Sequence, residues 1–257
     1  MSISTDALLR AMRTLHASAF SLATALLCQH AVAQAATLGC GPFTRGALEV
    51  PHPRDDDPRA RATFEHIKNA VKTEPHRVLF FGDSLTEGFN SAVWREHMAP
   101  RGVLNAGIGG DTTEELLWRL QNGNLDGPPP ELVVLLIGSN DLARGRTPEM
   151  AAEGIRADLL MLRQSLPNAK ILLLGLWPRR DMPRITERHE IEDVNRLIAS
   201  CADGKQIRFA DLGRFLLEPD GQLSREISPD LVHFNARGYA RIASTLNELI
   251  DQLLDHR

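Results

Sequence analysis

The chain has 257 residues, of which 43% are hydrophobic, 24% charged and 5% aromatic, enough apolar side chain for one sizeable core built mainly from aliphatic residues. That composition excludes a disordered chain and a small disulfide scaffold. The net charge of −4, from 29 Lys and Arg against 33 Asp and Glu, provides no basic footprint for a nucleic acid, and no stretch approaches the roughly 20 apolar residues that a membrane-spanning helix requires.

Residues 1–35 differ in pattern from the rest. Arg10 and Arg13 precede an apolar run over residues 17–28, and Ala31, Ala33 and Ala35 follow as A-x-A cleavage sites, which is the order of a secretory signal peptide. Met12 offers a second start with a shorter basic region, and an amphipathic N-terminal helix is the alternative. The expectation is an exported protein, periplasmic or secreted. Removal of the segment takes Cys28 and leaves Cys40 and Cys201, which an oxidising compartment could pair. Separation in sequence cannot establish the bond, and two free thiols are the preferred reading. No CxxC or Cys/His cluster argues for a metal.

Residues 36–70 hold Pro42, Pro51, Pro53 and Pro58 and the acidic run Asp55, Asp56, Asp57, which predicts an irregular lead-in to a domain over 71–257. Short aliphatic runs at 77–81, 132–137, 171–176 and 207–210, with a shorter one at 103–105, read as strands. Helical segments are expected at 91–98, 113–121, 148–166, 185–201 and 236–254. In the third, Met150, Ile155, Leu159, Leu162 and Leu166 recur at helical spacing as a core stripe. Near-continuous aliphatic strands alternating with helices require a sheet covered on both faces. The expected fold class is α/β, a three-layer α/β/α sandwich around a parallel sheet, with reactive groups outside the carboxyl ends of the strands.

Residues of chemical type stand at that edge. Gly82-Asp83-Ser84-Leu85 follows the first strand, Gly107-Ile108-Gly109-Gly110-Asp111 the second, Gly138-Ser139-Asn140-Asp141 the third, and Asp230-Leu231-Val232-His233 lies near the C-terminus. An alcohol is barely ionised at neutral pH, so Ser84 needs a base to act as a nucleophile. His233 can take the proton and return it to a leaving alkoxide, and Asp230, three residues earlier, can fix the imidazole tautomer. The backbone N–H groups of Ser84 and Gly110 and the amide of Asn140 could stabilise the oxyanion. Each part alone has a bland reading as a turn, a cap or a loop residue; the case rests on the ordered set. Thr112 occupies the third glycine position of G-x-G-x-x-G, which disfavours a dinucleotide loop. Thr86 occupies the second glycine position of G-x-S-x-G, which argues against an α/β-hydrolase elbow.

The segments FFGDSLTEG, LNAGIGGDTTEELLWRLQNG, VVLLIGSND, AKILLLGLWPR and DLVHF together resemble the SGNH (GDSL) hydrolase superfamily, and within it the catalytic subunits of the intracellular platelet-activating-factor acetylhydrolase. The resemblance implies a flavodoxin-like, five-stranded parallel sheet and no cofactor. It also implies Ser84 as nucleophile, Asp230 and His233 as its partners, and Ser84, Gly110 and Asn140 as oxyanion donors. Asp141 departs from the usual GTNN-like stretch and adds a carboxylate beside the donor. Leu85 and Val232 flank the nucleophile and the base as expected walls of a small acyl pocket. The expected function is hydrolysis of short-chain, chiefly acetyl, esters through an acyl-enzyme, the substrate being a small molecule or a glycan or lipid ester. Carbohydrate O-deacetylation and lysophospholipase or thioesterase activity use the same machinery. A non-catalytic binding module and a flavin carrier are the readings from other classes, and the resemblance allows a homodimer.

Overall fold

The near-continuous aliphatic runs form the centre of a single sheet. A computed structural model describes residues 38–44, 50–179 and 185–255; the segment read as an export signal lies outside them. In chain order the elements are α1 (Pro58–Thr73), β1 (Val78–Gly82), α2 (Ser84–Glu87), β2 (Val103–Gly107), α3 (Thr113–Gln121), β3 (Leu132–Leu136), α4 (Ser139–Ala143), α5 (Pro148–Ser165), β4 (Lys170–Leu174), α6 (Ile185–Ala199), β5 (Ile207–Ala210) and α7 (Ala236–Asp255). The helix expected at 91–98 is irregular, a turn at Ser91–Val93 running into a π-helical turn over Trp94–Met98.

The five strands are all parallel, in the order β2-β1-β3-β4-β5, the flavodoxin-like order, whose switch point lies between β1 and β3. Burial follows position in the sheet. Every residue of the inner strands β1 and β3 is buried, whereas the edge strands β2 and β5 each expose part of their length. Gly82 is in register with Gly107 on one side and Leu136 on the other, so the turns after β1, β2 and β3 open at one height. Helix α5 packs between α3 and α6, while α7 lies against β3 and β4. Tyr239, Ile242, Ala243, Leu246, Leu249 and Ile250 of α7 are buried at helical spacing and form its core stripe. On α5 the stripe is carried by Ala151, Ile155, Leu159 and Leu162; Met150 is among the exposed large hydrophobic residues. Among the described residues, no helix is long and apolar enough to cross a membrane.

Two expectations need correction. The lead-in is not irregular up to residue 70, because α1 begins at Pro58. Asp57 caps it, accepting from the Arg59 and Ala60 amides at 3.0 and 3.1 Å, and Pro58 occupies a position where its missing N–H costs nothing. The cysteines are not free thiols: Cys40 and Cys201 are bonded, their Cα atoms 4.6 Å apart, which ties the segment before α1 to the residue just beyond α6.

One buried group works against stability. Both carboxylate oxygens of Asp158, inside α5, lack a hydrogen-bond partner among the described residues. Burial first, and then the charges of Asp141 and Glu114, push this carboxyl well above the usual 3.8. The folded chain therefore keeps a proton that the unfolded chain releases above about pH 4, and stability falls as pH rises past that point. Asp158→Asn cannot ionise in either state. It is expected to be more stable than the parent at pH 8, with the gain shrinking towards pH 4; urea unfolding at the two pH values reads the difference, and a gain independent of pH would contradict this account.

Candidate active site

Chain direction brings the first chemical group to the sheet edge. β1 ends at Gly82, Asp83 caps α2 by accepting from the Leu85 amide at 2.9 Å, and Ser84 is the first residue of that helix. A Cβ on Gly107 would fall 2.3 Å from the Glu87 nitrogen, so β2 accommodates α2 because it carries no side chain there. The Tyr239 hydroxyl donates to the Leu85 carbonyl at 2.8 Å. This bond, with the ring contact of Tyr239 and Phe89 at 4.2 Å, locks α7 to the turn that holds Ser84.

Ser84 Oγ lies 2.9 Å from His233 Nε2, and His233 Nδ1 lies 2.7 Å from Asp230 Oδ2. The other oxygen of Asp230 accepts from the Val232 and His233 amides at 2.9 and 2.7 Å, so one carboxylate shapes the turn and orients the ring. Leu231 between them has φ +61° and is, among the described residues, the non-glycine residue in the left-handed region. Its side chain is buried, and that packing offsets the roughly 1–2 kcal/mol a non-glycine residue loses there. Asn235 closes the turn by capping α7 through the Arg237 and Gly238 amides. Desolvation acts to raise the Asp230 carboxyl, but the hydrogen bonds from His233 and Val232 outweigh it and hold it at about 2.

Across the cleft stand Gly109, Gly110 and Asn140. Gly110 has φ +88°, a conformation that favours glycine. Neither the Ser84 nor the Gly110 amide has a backbone acceptor among the described residues. The Asn140 amide donates to the Asp111 carbonyl at 2.9 Å and lies 3.4 Å from Asp83 Oδ2. Ser84, Gly110, Asn140 and His233 line one open cleft of about 620 Å³ with Phe234 and Tyr239.

A buried charge network supports that wall. Arg119 donates to Asp111 at 2.7 Å and to the carbonyls of Gly82 and Ala106 at 3.2 and 3.1 Å, joining the ends of β1 and β2 to the glycine loop. Burial, followed by the charges of Asp111 and Asp141, pushes Asp83 up to about 7. Burial raises Asp141 to about 6, opposed chiefly by its bond from Thr113. The Asp141 carboxylate does not face the Asn140 amide: it accepts from the Thr113 amide and hydroxyl at 3.1 and 2.8 Å and from Arg146 at 2.9 Å, fastening α4 to the start of α3.

Leu85 and Val232, expected as acyl-pocket walls, do not line the cleft. Successive helix residues diverge by about 100°, so Leu85 points into the core, where it is buried, while Ser84 faces out. The rim instead carries Glu87 and Arg59, paired at 2.7 Å. Sequence reasoning missed Glu87, Arg54 and Arg144, whose contacts run to main-chain atoms of the glycine loop; Glu87 lies within FFGDSLTEG, but nothing in that segment marks it as a loop contact.

The sequence profile of the GDSL-like lipase/acylhydrolase family matches residues 80–241. The chain is 35% identical to human platelet-activating factor acetylhydrolase IB subunit alpha2 over 211 residues, which cover 80% of this chain and 91% of that one. In fold it is similar to a GDSL-like lipase from Bacteroides thetaiotaomicron, with a TM-score of 0.62 and 23% identity over 75% of this chain and 98% of that one. It is also similar to an acetylxylan esterase from Geobacillus stearothermophilus, with a TM-score of 0.54 and 18% identity over 70% of this chain and 95% of that one. The expected export to the periplasm or the medium is contradicted by the curated relatives, which are platelet-activating factor acetylhydrolase IB subunits. Motif order, sheet topology and family profile agree: this chain belongs to the GDSL-like lipase/acylhydrolase family and is a carboxylic ester hydrolase.

Proposed function

We propose that the chain is a serine hydrolase of short-chain, chiefly acetyl, esters, with Ser84 as nucleophile, His233 as base and acid, and Asp230 as the group that orients the imidazole. The observation that carries this reading is the 2.9 Å contact of Ser84 Oγ with His233 Nε2, backed by Asp230 at 2.7 Å. As Oγ bonds to the acyl carbon its proton passes to Nε2, and Asp230 stabilises the resulting imidazolium. The carbonyl electrons move onto oxygen, where the amides of Ser84, Gly110 and Asn140 donate. Collapse breaks the bond to the alcohol, which leaves with the proton from Nε2. Water then repeats the sequence against the acyl-enzyme and frees the acid and Ser84.

One Asn140 proton is held by the Asp111 carbonyl, and its partner, at the long 3.4 Å from Asp83, is available to substrate oxygen. Asn140→Ala is expected to lower kcat about 100-fold, on the scale of a single oxyanion donor, with stability nearly unchanged; a kcat equal to the parent would remove Asn140 from the mechanism.

The preference for a short acyl group is supported by the cleft rim. The Arg59–Glu87 ion pair stands on the cleft lining, and a long acyl chain laid over that pair would cost its hydration. The names of the relatives, an acetylhydrolase subunit and an acetylxylan esterase, support the same choice. A series of p-nitrophenyl esters from acetyl to dodecanoyl tests it. The expected result is the highest kcat/KM for acetyl and a steady decline with length; a maximum at octanoyl or beyond would overturn the acyl-length reading while leaving the serine chemistry intact.

A further inference from the structure

We infer that Arg54, from the segment before α1, is a positioning residue that aims the Gly110 amide into the oxyanion hole. The inference rests on the proposed donor role of Gly110. Arg54 lies outside the residues matched by the family profile. Its side chain is largely buried, 18% exposed, and does not line the catalytic cleft.

The argument starts from the peptide unit. The Gly109 carbonyl and the Gly110 N–H belong to one trans peptide, so they point in opposite directions across a rigid plane. Arg54 Nη1 donates to that carbonyl, and the guanidinium lies against the same glycine: a Cβ on Gly110 would meet Nη1 at 2.9 Å. Holding the carbonyl on the Arg54 side directs the N–H to the opposite side. A cation on the carbonyl also polarises the amide and strengthens its donation.

The neighbouring peptides are fixed as well. The Gly109 amide donates to Glu87 Oε2 at 2.8 Å, and the Gly110 carbonyl accepts from Arg144 Nη2 at 3.1 Å. Two adjacent glycines have a wide choice of backbone conformations, so without these contacts the loop would sample states with the N–H turned away. Arg54 is itself oriented, donating to Asp57 at 2.7 Å and lying 3.5 Å from Asp111 Oδ1. Asp57 is also the cap of α1. The start of α1 is thereby linked through one guanidinium to the donor that meets the transition state.

A group that acts on the transition state through a donor changes kcat, whereas one that shapes the substrate pocket changes KM. In the full-length chain, Arg54→Met is expected to lose about 10- to 100-fold in kcat for p-nitrophenyl acetate, less than or equal to loss of a donor itself, with KM within about threefold. Arg54→Lys keeps a charged donor for the carbonyl and is expected to recover a substantial part of the loss. Asn140→Ala, measured alongside, separates the two claims. An unchanged kcat in folded Arg54→Met, with a large loss in Asn140→Ala, overturns the role of Arg54 alone; unchanged kcat in both variants overturns the oxyanion reading beneath it. If Arg54→Met fails to fold, Arg54→Lys decides, because a raised KM at parental kcat there contradicts positioning of a donor.

Discussion

Replacing Ser84 by alanine is expected to lower turnover of p-nitrophenyl acetate by about four to six orders of magnitude, the scale on which serine hydrolases lose rate when the nucleophile is removed. The substitution deletes one oxygen at the first position of α2, where alanine is a good helix residue, so thermal stability should stay close to that of the parent. The proposed oxyanion donors and the imidazole remain, and these can still assist direct attack by water, which is why a remnant of activity above the uncatalysed rate is expected. The decisive observation is the absence of a burst and of any acyl-enzyme by intact mass. A variant that cleaved the ester at the parental rate would move the nucleophile elsewhere.

The second large effect is expected from Asp230→Asn, a loss of about 10³- to 10⁴-fold in kcat. Asp230 Oδ1 accepts from two backbone amides, of Val232 and His233, and in the variant only the amide oxygen can fill that place. The NH2 group is then turned towards His233 Nδ1, which must become an acceptor, and the ring proton moves to Nε2. That nitrogen can no longer take the Ser84 proton. The parent carboxylate is held at about 2 by the same hydrogen bonds, so it is ionised across an ordinary assay range and its own titration does not shape the pH profile there. Stopped kinetics of the acylation step would show the loss, and a variant with parental kcat would mean that the carboxylate merely shapes the turn.

The strands and the juxtaposition of Ser84, Asp230 and His233 were legible for different reasons. Runs such as LVVLL are buried on both faces, and a parallel sheet covered by helices has no polar alternation to obscure them. Ser84, Asn140 and His233 sit beside short motifs that mark chain reversals at one sheet edge. α1 was hidden because Asp55 to Pro58 has the composition of a loop, although Asp57 followed by Pro58 is also a helix-start signal. Leu85 does not line the cleft because successive residues of a helical turn face different ways, and Val232, on the bend before His233, does not line it either. Arg54 could not be read at all: it is 55 residues from the carbonyl it holds, and a side chain bound to main-chain oxygen imposes no residue type on its partner.

The account stands on an activated serine at position 84, and labelling with a fluorophosphonate followed by peptide mapping tests that directly. The expected result is one adduct, on Ser84, formed rapidly in the parent and slowed by orders of magnitude in His233→Ala. An adduct on another serine, or an equal labelling rate in the two proteins, would contradict it.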